Sequence, residues 1–235
     1  MIIDLNSDMG ELADTALEQR IMAHVTSANV ACGAHAGDEA TMERTIRLAL
    51  DAGVAVGAHP GYPDRANFGR VEIPLTRADL ERTVYEQVTA LAAVADRLGA
   101  RLVHVKPHGA LYNLAAKDRD VARAVARGVA RWSTEVVLVG LAGSEMLEVW
   151  RGMGFPVAAE AFADRRYEPD GSLRSRRLPD ALITDPAEAG AQAVRLAASA
   201  RTLCIHGDTP GAPQIAAAVR EALRTVGIAF APLSK

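Results

Sequence analysis

The chain has 235 residues, 49% of them hydrophobic and only 4% aromatic, with a formal net charge of -3. That length can bury a substantial core in one domain, and the slightly negative balance provides no basic field to attract nucleic acid or an anionic bilayer. The opening Met1-Ile2-Ile3-Asp4 lacks a secretory pattern, no apolar run is long enough for a bilayer, and Cys32 and Cys204 form no C-x-x-C pair. The expectation is a cytoplasmic protein with no membrane contact and with both thiols small and buried at strand ends.

Ile2–Leu5 opens the chain as a strand, and Ala28–Ala31 and Val54–Ala58 follow at strand length. Between the last two, Glu39–Ala52 repeats apolar residues at three and four, the period of a helix buried on one face, and Gly53 follows its end. Arg77–Leu98 is a long helical stretch capped by Thr76, with Asp79 in its first turn and Gly99 beyond it. Leu102–Val105 and Val136–Val139 are strands separated by the helical Val121–Trp132. Ser144 starts the helical run to Arg151, and Val157–Ala159 is the next strand. Pro186–Ser199 and Pro213–Thr225 are helices on either side of the strand Leu203–Ile205, and Gly227 precedes the last strand, Ile228–Phe230.

This alternation implies a parallel sheet with right-handed crossovers. The predicted fold is α/β: a single domain over residues 1–235, forming a (β/α) barrel of seven or eight parallel strands. An open doubly wound sheet fits less well, because no G-x-G-x-x-G follows the first strand. No flexible linker divides the chain, and the irregular stretch Phe162–Pro179 reads as an active-site loop.

Ligand sites of parallel α/β folds lie at the carboxyl ends of the strands. Here those ends are polar: Asn6–Glu11, Cys32–Asp38, Gly57–Asp64, Lys106–Asn113, Glu160–Tyr167 and His206–Gly211. Of six histidines, His35, His59, His108 and His206 fall in these segments beside Gly or Pro, a placement that packing alone does not explain. His104, Lys106 and His108 alternate along one strand and face one side, the interior in a barrel, with His104 deeper and structural. Lys106 suits stabilisation of an oxyanion or phosphoryl oxygen, or the neutralisation of a buried carboxylate. Asp8 and Glu11 offer a general base or a helix cap. Arg165 and Arg166 could clamp a carboxylate or phosphate, whereas Arg174, Arg176 and Arg177 read as a solvated run. Asp8, His35 and His59 could converge on one divalent cation, a question that spacing leaves open. P-loop, H-E-x-x-H and G-x-S-x-G motifs are missing.

Six ordered blocks, D-L-N-S-D-M-G-E (4–11), S-A-N-V-A-C-G-A-H-A-G-D (27–38), G-A-H-P-G-Y-P-D (57–64), V-K-P-H-G-A-L-Y-N (105–113), F-A-D-R-R-Y (162–167) and H-G-D-T-P-G (206–211), resemble the LamB/YcsF family. The resemblance covers almost the whole chain. It departs from the usual pattern at Ser7, where cysteine is frequent, at Ala34 for phenylalanine, Glu39 for proline and Val71 for arginine. It implies a barrel of the glycoside hydrolase/deacetylase type and a role as the A component of an ATP-hydrolysing 5-oxoprolinase, opening 5-oxo-L-proline to L-glutamate with ATP, accompanied by Mg2+, as co-substrate. It also implies two partner subunits, B and C.

Under that resemblance Asp8, assisted by His35 or His59, activates water, while Lys106 and His108 stabilise charge on oxygen. Arg165 or Arg166, with Asn29 or Asn113, holds the substrate carboxylate and ring. Asn6, Glu11, Glu160 and Asp164 complete the substrate contacts, and His206 and Asp208 lie on a loop suited to substrate or phosphate. Two rival readings are a metal-dependent deacetylase or amidohydrolase needing no ATP, and a non-catalytic protein of a complex that binds a lactam or sugar.

Overall fold

The computed structural model describes residues 1–233. Its strands are β1 (Ile2–Met9), β2 (Ser27–Ala31), β3 (Ala55–His59), β4 (Leu102–Val105), β5 (Val137–Leu141), β6 (Val157–Phe162), β7 (Thr202–Cys204) and β8 (Ala229–Phe230). Neighbours run β2-β3-β4-β5-β6-β7-β1, and β1 pairs again with β2, which closes a parallel barrel. The two-residue β8 lies outside that ring and pairs with Ile2 and Ile3. The barrel is therefore seven-stranded, and the eighth apolar run extends its rim.

The helices are α1 (Thr15–Met22), α2 (Glu39–Asp51), α3 (Arg77–Arg97), α4 (Gly109–Ala115), α5 (Arg119–Ala130), α6 (Glu145–Gly152), α7 (Pro186–Leu196) and α8 (Ala212–Thr225). Many of their starts are capped by short polar side chains: Asp14, Asp38, Thr76, Asp118 and Asp185 each accept a backbone N–H of the following turn, satisfying donors that a helix leaves orphaned. Neither Asp8 nor Glu11 caps α1, since Asp14 does. Ser144 is the N-cap residue of α6, but its hydroxyl donates to the carbonyl of Leu141 at 2.6 Å. The backbone turns left-handed at Gly53 and Gly99, with φ of 67° and 72°, where α2 and α3 end, as expected of helix ends that need a residue without Cβ.

Two strands run further than their apolar residues suggest. β1 continues through Asn6, Ser7, Asp8 and Met9, and β6 through Glu160, Ala161 and Phe162. Strand pairing with β2 and β7 carries the backbone bonds there, so alternate polar side chains point inward without breaking the ladder. Outward residues such as Leu5, Val30, Val105 and Leu203 pack under the helices in the main core. That layer is close-packed: Trp150 is fully buried and its indole N–H donates to the carbonyl of Ala122 at 2.8 Å.

Register places Asp8, Asn29, Gly57, His104 and Val137 side by side on five successive strands. Such a level is one layer of the barrel interior. Glycine is required at 57, because a Cβ there would lie 2.1 Å from Nε2 of His104. Val137 of this level, with Val139, Ala158 and Leu233, forms a small apolar cluster of its own.

Candidate active site

A cavity of about 470 Å³ opens at the carboxyl ends of the strands, a size suited to a small organic ligand. Its floor includes Asp8, Glu11, His59, Lys106 and His108, its wall Tyr112, Asn113 and Phe162, and its mouth Arg70, Arg165, Arg174, Arg176, Arg177, His206 and Asp208. Three further residues expected to touch ligand lie beneath: Asn6, Asn29 and Glu160 are completely or almost completely buried and line no part of the cavity. They hold the floor instead.

The centre of the floor is Lys106. The β4 chain continues alongside β3 past its last strand residue, Lys106 N–H donating to Ala58 O and His108 N–H to Pro60 O, both at 2.9 Å. This keeps His104, Lys106 and His108 on the inward side. The Lys106 ammonium lies 2.9 Å from both Asp8 Oδ1 and Glu160 Oε1 and 3.2 Å from Cys204 Sγ. Burial opposes its charge, but Asp8 above all, with Glu160, holds its pKa well above the ordinary lysine value. Burial also opposes charge on Asp8, and His59 and Lys106 overcome it, leaving a carboxylate held well below its usual range. Lysine and aspartate therefore form a charged pair at neutral pH. Lys106 does neutralise buried carboxylates, yet it also lines the cavity.

Amide side chains fix this pair. Asn29 Nδ2 donates to Asp8 Oδ1 and Asn6 Oδ1, each at 2.8 Å, and Asn6 Nδ2 donates to Glu160 at 3.0 Å and Thr202 at 2.6 Å. His104 Nε2 lies 2.7 Å from Asn29 Oδ1, which requires the N–H on that nitrogen. Burial, with Lys106 nearby, lowers the His104 pKa to about 3, so the ring is a neutral donor.

Beside the pair sits a second cluster. Glu11 Oε1 is 2.9 Å from His35 Nε2, 3.0 Å from His108 Nδ1 and 3.6 Å from His59 Nε2. His35 and His108 stack with centroids 3.8 Å apart. Burial raises the Glu11 pKa, but His108 and then His35 outweigh it and hold the carboxylate ionised. Burial, with the histidines alongside, lowers His35 to about 4 against the pull of Glu11. The far nitrogens are anchored on backbone, His59 Nδ1 on Lys106 O at 2.7 Å and His108 Nε2 on Phe68 O at 2.8 Å. Phe68 is the only non-glycine residue with positive φ (55°) among the described residues, a strained conformation that presents its carbonyl to His108.

Glu11, His35, His59 and His108 bring one ligand atom each within 4.8 Å of one another, a donor set of imidazole and carboxylate suited to a divalent cation. The fit differs from the trio Asp8, His35 and His59. Asp8 is taken up by Lys106 and Asn29, and Glu11 and His108 occupy the place expected of it.

At the mouth the two adjacent arginines diverge. Arg165 is 7% exposed and lines the cavity. Arg166 turns away to a bidentate pair with Glu188, at 2.6 and 3.1 Å, outside the cavity. Asp164 is fully buried, accepting from the His206 backbone N–H at 3.0 Å and the Thr209 hydroxyl at 2.6 Å, so it shapes the His206–Gly211 loop and touches no cavity. Arg174 and Arg176 are half-buried and ion-paired, whereas Arg177 is exposed as a solvated residue, and all three line the cavity. Bridges Arg165 to Leu182 and Tyr167 to Leu173 fold their segment back over the site.

A parallel seven-stranded barrel whose strand ends combine a lysine–carboxylate pair, a histidine–glutamate cluster and an arginine-lined mouth defines a small-ligand protein of the β/α-barrel class. Within that class the chain belongs to the LamB/YcsF family, whose sequence profile matches residues 3–235. It is 50% identical to the A component of 5-oxoprolinase from Chloroflexus aggregans, with 96% of each chain aligned, and 43% identical to the protein so described from Thermococcus onnurineus, over 100% of this chain and 99% of the other. The lactam utilization protein of Thermus thermophilus superposes with a TM-score of 0.91 at 41% identity, covering 99% of this chain and 100% of that one. A family 4 carbohydrate esterase from Streptomyces lividans shares the fold at a TM-score of 0.57 and 12% identity, covering 97% of this chain and 91% of that one. No helix among the described residues is long and apolar enough to cross a membrane.

Proposed function

We propose that this chain is the A component of an ATP-hydrolysing 5-oxoprolinase that opens 5-oxo-L-proline to L-glutamate and works with two further subunits, B and C. The observation that carries the reading is the pairing of Asp8 with Lys106 on the cavity floor below the buried Arg165 guanidinium. This arrangement sits in a chain 50% identical, over 96% of its length, to the A component of a 5-oxoprolinase.

A five-membered lactam is a stabilised neutral amide, and transfer of a phosphoryl group from ATP to its carbonyl oxygen activates C5. Water then adds at C5, the C5–N bond breaks with the nitrogen taking a proton, and hydrolysis of the resulting acyl phosphate yields glutamate and phosphate. Asp8 is placed to accept the proton of the attacking water, oriented by Asn29, which donates to its Oδ1 at 2.8 Å. Lys106 balances the negative charge of the phosphorylated lactam oxygen. Arg165 holds the substrate carboxylate, and Asn113 on the wall faces the ring. Mg2+ accompanies the nucleotide. A cation held by Glu11, His35, His59 and His108 would supply Lewis-acid chemistry at the floor.

The test is glutamate release from 5-oxoproline and MgATP, measured with the chain alone and with candidate subunits B and C. Release that requires all three proteins and ATP is expected. A reconstituted complex that binds every component yet releases no glutamate would refute the reading. The histidine–glutamate cluster favours a second reading, a metal-dependent amidohydrolase. Chelator-sensitive amide hydrolysis without ATP is its signature.

A further inference from the structure

The cavity carries more positive charge than one carboxylate requires. Arg165 has no carboxylate within ion-pair distance among the described residues; its Nη2 donates to the carbonyl of Arg174 at 2.7 Å, and its buried Nε has no partner. Burial, with Arg176 alongside, lowers its pKa to about 10. A buried guanidinium in that state is completed by one bidentate anion, which the substrate carboxylate supplies. Of the four other guanidinium groups at the mouth, Arg174 is paired with Glu168 and Asp180, and three remain. Arg70 and Arg176 share a single carboxylate, Asp208, at 2.5 and 2.8 Å, and Arg177 lines the cavity with no ion pair among the described residues.

Charge is sorted along the cavity. On the floor the one ammonium, Lys106, is already engaged by Asp8 and Glu160, each at 2.9 Å. Apart from Arg174, which Glu168 and Asp180 balance, the mouth sets three arginines against one aspartate, an excess that attracts an anion of higher charge than a carboxylate. Asp208 spaces Arg70 and Arg176 across the opening from two different loops, a fork that a tetrahedral oxyanion can enter with several oxygens at once.

We propose that Arg70, Arg176 and Arg177 form a phosphoryl-binding subsite at the cavity mouth, separate from the carboxylate anchor at Arg165. The subsite rests on the proposed 5-oxoprolinase reading for its role. Its ligand is a phosphoryl group, carried either by a nucleotide or by a phosphorylated acyl substrate.

The purified full chain is titrated with inorganic phosphate by phosphorus NMR and with 5-oxoproline by saturation-transfer NMR. Phosphate binding that weakens with added salt is expected. The Arg176→Met/Arg177→Met double variant is expected to lose at least about tenfold in phosphate affinity and less in 5-oxoproline affinity, and Arg165→Met to show the reverse order. Because Arg177 is exposed and unpaired, Arg177→Glu gives the same loss of phosphate without disturbing the fold. Competition with MgATP or with acetyl phosphate then assigns the phosphoryl source. Absent phosphate binding, or equal phosphate affinity in wild type and all three variants, would overturn the subsite. Phosphate binding that persists while the complex forms no glutamate instead sinks the functional reading and leaves the subsite standing.

Discussion

Nε2 of His59 lies 3.0 Å from Nδ1 of His108, although each ring has already given its other nitrogen to a backbone carbonyl, His59 to Lys106 and His108 to Phe68. With those N–H groups donating outward, both lone pairs point at one position beside Glu11. Two facing lone pairs repel unless a proton or a cation lies between them. The first prediction is that the chain takes up one divalent transition-metal ion. A free concentration about 100 times Kd should stabilise it by about 2.7 kcal/mol. Metal analysis and melting temperature read the effect. Glu11→Gln and His59→Ala should each abolish both uptake and stabilisation, and unchanged metal content in both variants sinks the assignment.

Adjacent residues Arg165 and Arg166 make opposite predictions. Arg165→Met removes a buried, unpaired cation from the cavity wall and should raise KM for 5-oxoproline by roughly tenfold or more, the worth of a charged hydrogen bond, with a smaller change in kcat. Arg166→Met breaks a half-exposed pair with Glu188 and should leave KM unchanged and stability within about 1 kcal/mol. Steady-state kinetics of the two variants decide the matter. Equal effects would remove Arg165 from the substrate site.

How much of this is legible in the sequence varies by scale. All eight strands are marked by their apolar runs, because a buried parallel strand announces itself that way. Helices α1 and α4 are not: they are short, and α4 begins inside the Lys106–Asn113 block, whose Pro107 and Gly109 read as loop. The clustering of His35, His59 and His108 is visible as histidines at successive strand ends. Which atoms meet is not, since Asp8 and Glu11 sit three residues apart, and only strand β1 turning out at Gly10 sends them to different partners. Arg70, Arg176 and Arg177 are illegible for another reason. Charges far apart in sequence look solvated until a distant carboxylate, here Asp208, draws Arg70 and Arg176 together over a cavity that Arg177 also lines.

His104 gives the third prediction. Its folded pKa, about 3, lies below the ordinary value of 6.5. The unfolded chain therefore binds a proton that the folded chain refuses, and stability falls as pH drops from 6.5 toward 3. In that window one histidine contributes a slope of about 1.4 kcal/mol per pH unit. His104→Gln keeps a donor for Asn29 and should flatten the slope of unfolding free energy against pH by about one proton. Chemical denaturation at several pH values between 4 and 6.5 measures it. An unaltered slope would show that His104 is not the neutral donor in the Asn29–Asp8 chain.

Lys106 serves two carboxylates at once, and that changes what its removal does. Lys106→Met should lower kcat by about 10²–10³, the range for loss of one electrostatic stabiliser. It also strands Asp8 and Glu160 in the barrel interior, an uncompensated burial that costs about 3–5 kcal/mol. The two effects separate in the double variant Lys106→Met/Glu160→Gln. Exchanging Glu160 for the amide removes one of the two carboxyl groups that lose their partner while preserving an acceptor for Asn6, so stability should partly return while activity stays low. In the single variant the loss should shrink as pH falls, because protonation relieves the Asp8 carboxylate that the ammonium no longer balances. Melting temperature against pH and single-turnover rates report on the two consequences independently. A Lys106→Met protein as stable as wild type at pH 7 would contradict the charged assignment of the cluster, and a double variant that regains turnover would remove Lys106 from the chemistry.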